Sequence, residues 1–152
     1  MTEYKRLKAE LTLHWVIVGV MLSMLLIYNV ICHTLGPDIQ INMAEEQRVF
    51  IRSILYIVAI ALFPFTSLLR HILLRLNITM PGDNPAKNRY LMTTILTLAS
   101  IEIVGIFGFV MFILGDPYNS LYIFSILGVL GIFLHRPREQ EYLQIIEALK
   151  NM

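Results

Sequence analysis

Residues Tyr90 to Leu114 read YLMTTILTLASIEIVGIFGFVMFIL. A helix that crosses a bilayer needs about 20 consecutive apolar residues. This run is longer, and Glu102 is the only charge in it. It reads as a membrane-spanning helix, and three further apolar stretches flank it: Leu11 to Cys32, Ile54 to Leu74 and Tyr118 to Leu134. The fold class expected is therefore all-α: a single domain, residues 1–152, built as a bundle of four transmembrane helices (11–32, 54–74, 90–114 and 118–134).

The composition agrees. The chain is 57% hydrophobic and 15% charged, with a mean hydropathy of +0.67, outside the balance of soluble domains. A net charge of +1 offers nucleic acid no basic face. The lone Cys32 forms no internal disulfide, and no Cys/His spacing matches a zinc site. The first span is too long for a signal-peptide core and lacks a small-residue cleavage site, so it reads as a retained anchor.

Punctuation between the spans sets the connections. HTLGPDIQINMAEEQRVF (33–50) holds a Gly-Pro turn, then Asn42 and Glu45 spaced as a capping box that would open the second helix. MPGDNPAKNR (80–89) predicts Asn84 as N-cap and Pro85 as the first residue of the third helix. Gly115-Asp116-Pro117 predicts its end and a tight return into the fourth span. After Pro137 an amphipathic helix is expected over 137–150, with Tyr142, Leu143, Ile145, Ile146 and Leu149 on one face. Its polar side carries Glu139, Glu141 and Glu147, a poor match to anionic lipid, which favours docking on the bundle or on a partner.

Ten of the twelve Lys and Arg residues flank the two termini and the central connection. The positive-inside rule then places both termini and that connection in the cytoplasm, expected at a bacterial inner (plasma) membrane.

Glu102 is the residue that calls for an account. At roughly 1.5 Å per residue it lies about 20 Å from Arg89 and from Asp116, at the bilayer midplane. A charge there costs at least about 2.5 kcal/mol, so the carboxyl is expected to be protonated, paired or in contact with water. Gly105 shares its helical face and admits a close neighbour. Pro64 in the second span cannot bond the Ile60 carbonyl, which a protonated Glu102 could reach; Thr66 and Ser23 are hydroxyl alternatives. Two readings stay open: an interhelical hydrogen bond, or a proton or cation site.

The run Glu102-Ile103-Val104-Gly105-Ile106-Phe107-Gly108-Phe109-Val110 resembles the carboxylate helix of the rotary-ATPase proteolipids, the c or K subunits. The resemblance extends over residues 98–114 alone. It implies an acid that exchanges protons or sodium with a channel subunit. Proteolipid rings are packed through glycine, and the second span, ILYIVAIALFPFTSLL, has none.

His14 and His71 fall near the inner ends of the first two spans and are weak haem ligands by position. No phosphate loop, nucleophile elbow, HExxH or paired-acid motif occurs. The function expected is that of a small non-catalytic accessory or scaffold subunit in a larger membrane complex, without cofactor. Its partners would be the lipid bilayer and other membrane subunits or further copies of itself. The alternatives are a proteolipid-like ion carrier using Glu102 and a haem-binding anchor.

Overall fold

A computed structural model describes residues 2–152. Its elements run α1 (Glu3–Leu35), a 3-10 turn (Gly36–Ile39), α2 (Glu45–Thr79), α3 (Ala86–Ile113), α4 (Tyr118–Leu134) and α5 (Glu139–Lys150). The chain is all-α, and no strand occurs among the described residues. Three helices, α1, α2 and α3, are long and apolar enough to cross a membrane. α4 is equally apolar but has 17 residues, about 25 Å of helix. It meets α5 at a 42° bend, and the bent pair counts as a fourth candidate crossing.

Helix limits differ from the sequence expectation where local capping was the guide. Asn42 and Glu45 do not form a capping box: the N-cap of α2 is Ala44, with no side-chain bond. Glu45 and Glu46 occupy the first turn, where their charges complement the positive end of the helix dipole. Asn84 likewise does not cap α3, which starts at Ala86 with Pro85 as N-cap. α5 begins at Glu139 rather than at 137: Arg138 is its N-cap, with extended backbone, and its N–H, free of any intrahelical bond, donates to Tyr90 Oη at 2.7 Å.

The end of α3 follows the sequence signal. Gly115 has φ +97°, its N–H donates to Phe112 O, and Asp116 N–H donates to Met111 O, the paired bonds of a Schellman motif. That turn sends α4 back along α3.

α3 is the axis of the molecule. Toward α2 it presents Val104 and Met111, packed with Ala59. Toward α4 it presents Gly108, where an added methyl would meet Phe124 Cβ at 2.9 Å and Leu121 O at 3.2 Å. Leu98 and Ile101 pack with Val18 and Leu25 of α1 and with Ile132 of α4. Both termini and the α2–α3 connection share one end, tied by Lys150–Glu3 and Arg70–Glu141 ion pairs. The other two connections share the opposite end, where Ile41 N–H donates to Ile113 O at 2.6 Å.

Candidate functional site

Glu102 is 7% exposed. Among the described residues, neither of its carboxyl oxygens has a hydrogen-bond partner. Geometry explains why the expected bonds are not made. Two residues on a helix are separated by roughly 200°, so Glu102 stands about 160° around α3 from Val104, which faces α2. Pro64 and the Ile60 carbonyl belong to α2, on the far side of α3 from the carboxyl. The Ile60 side chain is itself 68% exposed. Ser23 is exposed and donates to Gly19 O at 2.7 Å. Thr66 is fully buried on α2, and its hydroxyl has no partner. Gly105 does admit a neighbour, Leu25 of α1. One turn outward from Gly105, Tyr28 stacks on Phe109 with ring centroids 5.5 Å apart. Glu102 therefore lies along the α1–α3 seam, near Leu25 and Tyr28 of α1, with no hydrogen bond to either oxygen.

Two polar centres escaped the sequence reading. At the end holding the termini, Arg70 is buried in α2. Its Nη2 donates to Glu141 Oε2 at 2.6 Å and its Nη1 to His135 O at 2.7 Å. Longer bonds reach Arg136 O, Thr97 Oγ1 and Tyr90 Oη. Tyr90 completes the ring by donating to Glu141 Oε2 at 2.9 Å. One guanidinium thus joins α2, α3, the α4–α5 link and α5. Tyr142 adds a bond to Glu10 of α1, and with Ile145 it packs on Leu11 and Tyr90. The terminal helix is docked on its own bundle. Burial and the Glu10 partner push the Tyr142 hydroxyl pKa upward, so it stays a donor.

At the opposite end Asp116 is fully buried. Arg52 Nη1 donates to it at 2.9 Å, Arg48 Nε lies 3.2 Å from Oδ1 as an ion pair, and Ser120 donates from the first turn of α4. Gln40 Nε2 donates to Phe112 O at 3.2 Å. The two arginines that sit on the otherwise base-poor end are held by this single carboxylate.

The histidines have unlike surroundings. His14 is buried against Tyr90 and Tyr142, with Nδ1 3.1 Å from Glu10 O. His71 is exposed on α2. Among the described residues no three His, Cys, Asp or Glu side chains converge as a metal site.

No family model, curated protein or solved structure matches this chain. What it does has to be argued from its own geometry.

The signals for the missed centres were present but indirect. Tyr90, Thr97, Val104 and Met111 are seven residues apart and form one stripe of α3. All four are buried, and the stripe points at α2. Arg70 was legible only as a topology charge, Glu141 only as a polar-face residue and Asp116 only as part of a turn. What joins each to its partners is tertiary placement.

Proposed function

We propose that the chain is a four-span integral membrane protein, with both termini in the cytoplasm, serving as an accessory or scaffold subunit of a larger membrane complex. The observation that carries this reading is the uneven burial of its helices. The apolar stretch of α3 is 50% buried, whereas that of α2 is 11% buried. α2 packs mainly on α3 and α5 and turns Ile57, Ile60, Phe65 and Leu68 outward. Its strongest polar contacts are consumed within the chain, at Arg70 and Asp116, so the outer surface is an apolar belt suited to lipid and to other transmembrane helices. Purification in mild detergent tests the reading: other membrane subunits should accompany the protein in fixed ratio, and a protein that runs alone or only as a homomer overturns it. Single-cysteine accessibility tests the topology, which fails if the 80–85 connection is reached from outside the cell.

Glu102 supports a second reading, a proton- or cation-binding carboxyl. Its two buried oxygens lack donors, and an ionisable group within a membrane span is by default a candidate functional site. Carbodiimide modification of Glu102 near neutral pH, suppressed by Na⁺ or by high pH, is the expected result. An unreactive Glu102 together with a fully functional Glu102→Gln protein removes this reading.

A further inference from the structure

We propose that Ser67 and His135 form a nucleophile–base pair directed at carboxylic esters of membrane lipids. Ser67 Oγ lies 3.1 Å from His135 Nε2. On the other side of the ring, His135 Nδ1 lies 2.8 Å from Gly131 O. A carbonyl accepts only, so Nδ1 carries the proton, and Nε2 presents its lone pair to the serine hydroxyl. A nucleophile in reach of a base, with the base oriented by a third group, is the arrangement that activates a hydroxyl.

Other helical hydroxyls in the chain behave differently. Thr12, Ser23, Ser53 and Ser100 each donate to the carbonyl four residues earlier. Ser67 instead turns to the imidazole of another helix. His135 is 4% exposed, while Ser67 is open on the surface of α2. The base is thus shielded and the nucleophile accessible. Burial, with Arg70 and Arg138 nearby, lowers the pKa of His135 below its ordinary value, against the opposing effects of the Gly131 carbonyl and Glu141. A neutral ring is the form that can accept the proton.

Position names the substrate class. Phe65 and Leu68 point outward beside Ser67, and Ser67 is level with His135, which closes the apolar run of α4 just before Arg136 and the exposed Arg138. Ser67 therefore stands where apolar surface gives way to charge, the depth at which the ester groups of glycerolipids lie. His71 is exposed four residues on, on the same helical face, and is the donor that the proposal assigns to the developing oxyanion. In the reaction Ser67 Oγ bonds to the ester carbonyl carbon as its proton passes to His135 Nε2. The tetrahedral adduct then expels the alcohol, which takes that proton, leaving an acyl-serine. Water attacks the acyl group, releases the carboxylic acid and restores the serine.

The inference goes beyond the accessory-subunit reading and fails independently of it, since labelling of one serine does not depend on a partner. The full-length protein, reconstituted in phospholipid vesicles, is treated with a fluorophosphonate probe and digested for mass spectrometry. A covalent adduct on Ser67 is expected, absent in Ser67→Ala and reduced at least about tenfold in His135→Gln. Wild-type protein with intact helical circular dichroism and no adduct at Ser67 overturns the proposal, as does equal labelling in His135→Gln. Should the His135 variant unfold, Ser67→Cys decides. Its thiol, beside the imidazole, should alkylate with iodoacetamide about tenfold faster than that of Ser53→Cys. Equal rates overturn the proposal.

Discussion

Arg70 and Glu102 are buried to the same degree, 7% exposed each, yet the fold treats them in opposite ways. Arg70 donates to five different partners drawn from Thr97, Tyr90, Glu141 and the His135 and Arg136 carbonyls. Glu102 has none. A buried ion costs several kcal/mol unless it is paired and fully hydrogen-bonded, so the two cannot carry charge on equal terms. Arg70 keeps its charge and spends it on assembling the end of the bundle. Glu102 has no such compensation, and the proposed ion-site reading would have it held as the neutral acid or by a bound cation. The difference separates a residue that ties helices together from one whose polar atoms tie nothing.

Mutating the first member of the pair should produce the largest loss. Arg70→Ala leaves Glu141 with Tyr90 alone as donor and strips two backbone carbonyls of theirs, and removing one partner of a buried pair costs about 3–5 kcal/mol. Detergent-dependent unfolding followed by circular dichroism should show that loss, and limited proteolysis should cut before Glu139 as α5 detaches. An Arg70→Ala protein with a wild-type midpoint would mean that the network is ornamental. Asp116 offers the same test at the opposite end with a smaller effect. Asp116→Asn removes one charge from between two arginines that are partly exposed, and about 2 kcal/mol should be lost. Arg52→Gln in that background should add little, because the two residues share one interaction.

The contrast between these centres and the spans also shows what a sequence can tell. Apolar length alone locates α1, α2 and α3, since lipid demands continuous hydrophobic runs whatever the neighbours are. The Schellman turn at Gly115 is equally readable, because its signal is local. The depth of Glu102 follows from counting residues. Its surroundings depend on the rotation of α3 against α2, and no local rule sets that. Ile60 could be a partner only if Glu102 faced α2. The seven-residue stripe through Tyr90, Thr97, Val104 and Met111 places α2 on another side. The Ser67–His135 contact joins residues 68 apart in sequence, and nothing near either one announces it.

Packing along α3 supplies an intermediate test. Gly108→Val puts a branched side chain where even one methyl meets α4 at 2.9 Å. Overpacking of this kind costs about 1–3 kcal/mol. Gly19→Val, at a position open to the surroundings with nothing within 4 Å, should cost far less, which separates close packing from a general dislike of branched residues in these helices.

The smallest effect, and the one that sharpens the comparison most, belongs to Glu102→Leu. Replacing an unsatisfied buried polar group by an apolar group of similar size removes a desolvation penalty and takes away no bond. Stability should be unchanged or rise by up to about 1 kcal/mol. The sign is opposite to that of Arg70→Ala, although the two side chains are equally buried. Unfolding midpoints of both variants, measured in the same detergent series, give the comparison directly. If Glu102→Leu loses as much as Arg70→Ala, the carboxyl has a partner that holds α1 against α3, and its role is structural. If stability holds while carbodiimide reactivity at residue 102 disappears, the glutamate is retained at a cost to the fold, and its reason for being there is chemical.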